Sequence, residues 1–335
     1  MEKLKYLIKR LKNMNFKNFF ITLRRIHKKS NKNFVVIFCD MIYCGFKYMA
    51  GYVDYEQLEF YNLNKAQRKT IITRGVNNKI VKTLNDINYF KYIDDKVLFN
   101  EKYNDFLNRE WIDLRKSSLE DFTGFLTRHK TVMAKAINLC CGKGIEKITY
   151  DESIDITDLY NSLKNNNQFL IEEYVYQHRD LNKLHPYSVN TLRIVSILKD
   201  GNVFIPFTCL RIGNKKNVVD NFNSGGLLAI VNEKGIIENP AIDKEGNIHL
   251  FHPYTNVKIV GYQIPLFKQA IEMVKNLALI TPEIRYTAWD ISITSDGPVV
   301  IEGNPFPGHD VYQSKLTLEK NNMGLLPVFK NILDC

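Results

Sequence analysis

Asp290, Glu302 and Asn304 are the residues whose types and spacing most directly suggest chemistry. They lie in the stretch Thr287 to Gly308, TAWDISITSDGPVVIEGNPFPG. Ile291 and Ile293 alternate with small polar residues after Asp290, and Val299, Val300 and Ile301 run apolar into Glu302. Ser295-Asp296-Gly297-Pro298 between the two runs reads as a turn, which predicts a β-hairpin. Folding there sets Asp290 roughly opposite Glu302, and Asn304 shares the face of Glu302 while Ile301 points away. Two carboxylates and an amide oxygen on one face suit a hard cation such as Mg²⁺, which leaves coordination sites for water and phosphate oxygens. The same spacing also suits a surface hairpin with an acidic face.

Other residues supply the remaining parts of a nucleotide site. Lys135 lies within the apolar run TVMAKA, where a lone ammonium needs an anionic partner. Asn138-Leu139-Cys140-Cys141-Gly142-Lys143-Gly144 follows it, and the glycines allow backbone N–H groups to approach phosphate oxygens. It reads as a flexible flap rather than a Walker loop, because no G-x-x-x-x-G-K-[ST] is present. Arg193 and Arg211 each sit in an apolar run, and their guanidinium forks suit phosphate or carboxylate. Each of these bases also fits a structural ion pair.

The elements expected to position them follow from periodicity. Residues 131–136 predict a strand, and Phe169 to Val175 a buried strand rich in acids. Thr191 to Leu198 and Val203 to Cys209 predict a hairpin over Lys199-Asp200-Gly201-Asn202. Leu227 to Val231 reads as a further strand. Pro265 opens a helix striped with Phe267, Ile271, Val274 and Ala278 that ends before Pro282. Asp94-Asp95-Lys96 precedes a helix carrying Val97, Leu98, Phe106 and Leu107. Residues 33–85 read as helical and aromatic.

The chain has 335 residues, enough for two or three lobes, and its 45% hydrophobic and 12% aromatic content excludes a disordered chain. Six cysteines show no C-x-x-C pair or zinc spacing, which fits a reducing compartment. The seven histidines show no metal spacing either; His309, just past the hairpin, is a candidate for meeting substrate. No apolar run approaches 18 residues, so no bilayer-spanning helix is expected.

Charge is concentrated at one end. Residues 1–32 hold 11 of the 46 lysines and arginines and one of the 36 acids, leaving 35 of each in the remainder. Leu4, Leu7, Ile8 and Leu11, then Phe16, Phe19, Phe20 and Leu23, recur there at helical spacing. A basic amphipathic tail fits an anionic membrane surface, or a helix packed on the body with a solvated basic face. No basic stripe marks the rest, so no nucleic-acid partner is expected.

The ordered motifs together resemble the ATP-grasp superfamily, which includes D-alanine ligases. They are most similar to its sugar-transfer associated family, linked to cell-surface polysaccharide synthesis. His185-Pro186-Tyr187-Ser188-Val189-Asn190-Thr191-Leu192-Arg193 and Val219-Asp220-Asn221-Phe222-Asn223-Ser224-Gly225-Gly226 carry the resemblance, with the strand lysine, the G-K-G loop and W-D…E-G-N. It covers roughly residues 86–315.

The resemblance implies an α+β fold of two lobes gripping ATP, with an N-terminal helical extension. The chain then divides into a basic tail (1–32), a helical region (33–85), a lid subdomain (86–173) and a metal and acceptor subdomain (174–335). Lys96 and Lys135 would contact ATP phosphates under a loop containing Cys141, Gly142, Lys143 and Gly144. Glu172, Glu173, Tyr174 and Val175 would read adenine. Asp290, Glu302 and Asn304 would hold Mg²⁺. Arg193 and Arg211, with Lys135, would serve catalysis at the γ-phosphate and the acceptor. Asn190, Asn221, Ser224, Gly225 and Gly226 would line the acceptor side.

The implied activity is an ADP-forming ligation of an amine to a carboxylate-bearing sugar or glycan, in the cytoplasm or at the inner membrane face. One departure stands out. Many ligases of this fold carry an arginine two residues before the first metal aspartate, and here that residue is Ala288. It keeps open a sugar kinase of the same fold; a third reading is a non-catalytic ATP-binding accessory protein of glycan assembly.

Overall fold

A computed structural model describes residues 14–137, 144–309, 313 and 321–333. Its chain divides into two compact units, one of residues 85–307 and the other of residues 1–84 with 308–335.

The larger unit holds two antiparallel sheets. In chain order its strands are β1 (Trp111–Asp113), β2 (Thr131–Lys135), β3 (Ile145–Thr149), β4 (Leu170–Glu173), β5 (Thr191–Lys199), β6 (Asn202–Ile212), β7 (Leu227–Ile230), β8 (Ala241–Ile242), β9 (Ile248–His249), β10 (Tyr286–Ile293) and β11 (Pro298–Asn304). One sheet has the order β1-β4-β2-β3 and the other β11-β10-β5-β6-β7-β8-β9. Asp200 and Gly201 close β5 onto β6 with φ of 50° and 77°. Two adjacent positive φ values make the turn whose twist matches a hairpin, and Asp-Gly tolerates both.

The seven-stranded sheet has one apolar and one polar face. Leu192, Ile194, Leu210, Ile212, Trp289, Ile291 and Val300 join one buried cluster with Phe267, Ala270, Val274 and Leu277 of the helix Phe267–Ile280. That helix is the predicted one, its stripe recurring every three or four residues. Trp289, fully buried, donates its indole N–H to Ser196 Oγ at 2.9 Å. Residues alternate across a strand, so Thr191, Arg193, Arg211, Asp290 and Ser292 line the opposite face.

A bulge decides what β11 presents. The turn register, with Ile291 on Val300, would set Asp290 against Ile301, but Asp290 pairs with Glu302, leaving Ile301 unmatched. The extra residue breaks strict alternation, so Val300 enters the apolar core while Glu302 faces Asp290.

The four-stranded sheet is covered by the helices Leu119–His129 and Ile156–Asn165. Phe122, Phe125, Leu126 and Leu163 pack on Val132, Ala134, Ile148 and Ile171. Ser118 caps the first helix by a reciprocal pair of hydrogen bonds with Asp121. The helix expected after Asp95 is shorter than its apolar spacing suggests. It spans Lys96–Lys102, and Asn104–Phe106 forms a separate 3₁₀ turn. Asn and Asp compete for backbone hydrogen bonds and favour such breaks.

The smaller unit is helical, built on Phe16–Ser30, Phe34–Tyr48, Tyr52–Gln57 and Arg74–Leu84. The helix Leu326–Leu333 returns to it from the chain's other end, burying Phe329. Gln313 fixes that return, accepting from Ile72 N at 2.9 Å and donating to Ile72 O at 2.7 Å. The apolar spacing from Leu4 to Leu11 lies outside the described residues.

Candidate active site

Five charged side chains meet on the polar face of the seven-stranded sheet. Arg193 and Asp290 are register partners across β5 and β10. Arg193 donates from Nε to Asp290 Oδ1 and from Nη2 to Oδ2, the latter at 2.8 Å. Arg211 donates to the same Oδ2 and, through Nη2, to Asp220 Oδ1 at 2.8 Å. Asp220 also accepts from Thr191 N at 2.9 Å and from the Thr191 hydroxyl. Glu302 stands opposite Asp290.

The electrostatics follow from the count: two bases face three acids. Burial alone would raise every carboxyl, but Arg193 and Arg211 outweigh it at Asp290 and hold that group below its usual range. Burial and the Asp290 charge push Glu302 up. Burial also pushes Asp220 up, against the pull of Arg211. Arg211 is held protonated; burial opposes its charge, and Asp220 and Asp290 overcome that. Glu302 is the surplus acid, its ionised form disfavoured beside a second carboxylate, and a cation there would favour ionisation. Asn304 lies two residues along β11 on the same face, and its Oδ1 accepts from Phe306 N at 2.8 Å, with a second lone pair left. Two opposed carboxylates and an amide oxygen, all hard donors, fit Mg²⁺. Among the described residues no cluster of three or more His, Cys, Asp or Glu is placed to hold a metal.

Arg193 keeps a free donor. No partner engages its Nη1 among the described residues, and its side chain is 14% exposed, whereas both Nη atoms of Arg211 are bonded to carboxylates.

A second buried charge cluster ties the two sheets together. Glu172 on β4 accepts from Arg109 Nη2 at 2.8 Å and Nε at 3.1 Å, from Asn100 Nδ2 at 2.8 Å, and pairs with Lys135 on β2. Burial would raise this carboxyl, yet Arg109 and Lys135 hold it at about 2. Arg109 also donates from Nη1 to Val300 O of β11 at 2.7 Å. It therefore spans from one sheet to the edge of the other. Neither Arg109 nor Asn100 stands out in the sequence; the only signal is that Lys135 and Glu172 both require partners.

The other expected residues are distributed as follows. Lys96 begins its helix, and its Nζ lies 3.5 Å from Ile137 O at the end of β2. Cys141, Gly142 and Lys143 lie outside the described residues; Gly144 follows them at φ 66°. Glu173 accepts from Glu110 N at 3.1 Å, Tyr174 stacks under Lys147 Nζ at 3.9 Å from its ring centre, and Val175 is half-buried. Asn190 is fully buried and satisfied by protein: it donates to Gln177 Oε1, Leu181 O and His185 O, and accepts from Gly213 N. Asn221 accepts at its carbonyl from Ser224 N at 2.9 Å and Gly226 N at 3.1 Å, closing a tight loop in which Ser224 is exposed and Gly225 has φ 94°. Gly226 is dictated by space, since a Cβ there would strike the Asp220 backbone. His309 belongs to the smaller unit, where its buried Nε2 meets Asp54 Oδ1 at 2.7 Å.

The match of a family model over most of the chain places this fold in the ATP-grasp class. The chain belongs to the sugar-transfer associated ATP-grasp family, whose model matches residues 75–332. No curated protein matches the chain in sequence. Among solved structures it is similar to D-alanyl-alanine synthetase A from Vibrio cholerae, at 14% identity and a TM-score of 0.46, covering 72% of this chain and 65% of that one. It is also similar to D-alanine–D-alanine ligase from Bacillus anthracis, at 11% identity and 0.43, covering 77% and 74%. A third is the ADP complex of purK, N5-carboxyaminoimidazole ribonucleotide synthetase, at 12% identity and 0.41, covering 70% and 52%. The chain thus spans just under two thirds of the length of the Vibrio cholerae enzyme.

Proposed function

We propose that the protein is an ATP- and Mg²⁺-dependent ligase that joins a carboxylate to an amine through an acyl-phosphate, in cell-surface polysaccharide synthesis. The observation that carries this reading is the buried cluster of two arginines and three acids, in which Glu302 is the acid without an arginine partner. Asp290, Glu302 and the Asn304 amide oxygen would hold Mg²⁺, which would supply charge neutralisation for phosphoryl transfer. Arg193, through its free Nη1, binds the acceptor carboxylate or the departing charge. Arg211 holds Asp290 ionised and aligned. Lys135 and Lys96 bind ATP phosphates beneath the loop that ends at Gly144, and Glu172 positions Lys135. Glu173, Tyr174 and Val175 present backbone groups to adenine. Asn221, Ser224, Gly225 and Gly226 form the acceptor-side loop. ATP supply places the reaction on the cytoplasmic side.

Ala288 favours a second reading. It is 2% exposed and paired with Val195 and Asn304, so the site has an apolar wall where many ligases of this fold carry an arginine. A kinase acting on a sugar hydroxyl forms no tetrahedral acyl intermediate and has no use for that arginine. Incubation with ATP, Mg²⁺ and uronic acids plus amines separates the two. Ligation releases ADP and phosphate only when both acceptors are present. ADP with a stable sugar phosphate, and no free phosphate, would establish the kinase instead.

A further inference from the structure

The helix Phe34–Tyr48, sequence FVVIFCDMIYCGFKY, is apolar on both sides. Ile37, Met41, Cys44 and Tyr48 face the core of the smaller unit. The other side carries the exposed Val35, Phe38, Cys39 and Phe46, spaced three, four and eleven residues from Val35, so they form one stripe, with the half-buried Ile42 between them. Val35 is 64% exposed and Phe46 45%. Charge does not interrupt the stripe: Asp40 is turned away into a bidentate pair with Arg68, at 2.7 Å for each bond.

The neighbouring helix Phe16–Ser30 extends this surface. Phe16 and Phe20 are exposed one turn apart. Phe20 and Phe38 both rest edge-on against the buried Phe19, at 5.5 and 5.9 Å between ring centres, so the two stripes join. Nine of the 20 exposed large apolar side chains among the described residues fall between Phe16 and Val53. A concentration of that kind marks an interaction face rather than scattered surface residues.

Basic residues border it. Lys17, Arg24 and Lys28 lie on one line of the first helix beside Phe16 and Phe20, and none has an acidic partner among the described residues. The nearby acids are consumed: Glu56 by Arg25 at 2.7 Å and Glu59 by Lys29 at 2.9 Å. The free charge along the apolar face is therefore positive only. A second copy of this chain would bring bases against bases. An anionic bilayer surface offers both what the apolar stripe needs and what the bases need.

We propose that the paired helices Phe16–Ser30 and Phe34–Tyr48 are a membrane-docking face that lies in the interface of an anionic bilayer, with the apolar stripe inserted and Lys17, Arg24 and Lys28 at the headgroups. This goes beyond the ligase reading and does not depend on it. Among the described residues no helix is long and apolar enough to cross a membrane, so the contact is peripheral.

The test is co-sedimentation of the full chain with vesicles of phosphatidylcholine alone or mixed with phosphatidylglycerol. The wild type binds the mixed vesicles, more weakly as salt rises. Each base near an anionic surface is worth about a fivefold gain in partitioning, so K17Q/R24Q/K28Q loses about a hundredfold. V35D/F46D loses at least about tenfold. The control I248D/L250D changes charge equally at two exposed apolar residues of the larger unit and keeps wild-type binding. Circular dichroism checks the fold; should V35D/F46D unfold, the basic triple variant carries the test. Failure of the wild type to bind mixed vesicles overturns the proposal. So does equal loss in the control. A wild-type dimer that V35D/F46D makes monomeric, with vesicle binding unchanged, would assign the face to a second copy. No ATP enters the assay, so its failure leaves the ligase reading untouched.

Discussion

Replacing Glu172 by Gln should cost the protein about 3 kcal/mol, for a reason the site makes explicit. Its carboxyl is 2% exposed, and its cationic neighbours Arg109 and Lys135 are 2% and 11% exposed. The folded environment lowers its pKa from 4.5 to about 2, which at 1.36 kcal/mol per decade of proton affinity is about 3 kcal/mol. Breaking a buried pair by removing one member costs about 3–5 kcal/mol, because the remaining charge is stranded. The two routes agree. Thermal and urea unfolding at pH 7 should show the loss, with the midpoint falling by roughly 6–12 °C for a unit of this size. The pH dependence has a definite sign. A depressed carboxyl contributes stability that is complete above its unfolded value and is lost as pH falls from about 4.5 towards about 2. Wild type and E172Q should therefore converge in acid. Because Lys135 loses its positioning partner, ATP affinity should also fall. An E172Q protein as stable as wild type at pH 7 would refute the counter-charge role and leave Glu172 to the ligand.

Three further outcomes follow from the same geometry. Glu302→Gln removes the surplus acid, whose raised pKa marks its ionised form as unfavourable in the fold; metal-free stability should hold or rise by up to about 1 kcal/mol. Mg²⁺ with ADP should then raise the melting temperature of wild type but not of the variant, and equal shifts would remove Glu302 from the metal site. Gly226→Ala would place a Cβ 2.9 Å from Asp220 C and 3.0 Å from Ile212 O, backbone atoms that cannot rotate away. It should cost about 3 kcal/mol in urea unfolding, against about 1 for Gly201→Ala, where only the positive φ is at stake. His185 and His252 are buried with ring centres 5.6 Å apart, and burial lowers both pKa values. Stability should fall as pH drops below their ordinary 6.5, since only the unfolded chain protonates freely, and H185Q/H252Q should flatten that slope.

The sequence by itself determined the residue types, the two hairpins and the end of the chain that carries the charge. The β5–β6 turn needs positive φ at two adjacent residues, and Asp200-Gly201 supplies it locally. The short turn fixes that Ile293 opposes Pro298 and Ile291 opposes Val300, which brings Asp290 near Glu302. The helix Phe267–Ile280 follows from its own spacing. Tertiary structure decided the remainder. Alternation could not say that Ile301 bulges, sending Val300 to the core and Glu302 to the site. Glu172 acquires its role from Arg109 and Asn100, 63 and 72 residues away, and Asp290 meets Arg193 at a separation of 97. The membrane face proposed above takes in, beside part of residues 1–32, the helix Phe34–Tyr48, whose outer side looks from sequence like core. The physical reason is common to these cases. Periodicity and turn chemistry act between near neighbours, whereas a buried charge or an exposed apolar stripe is defined by what lies across the fold from it.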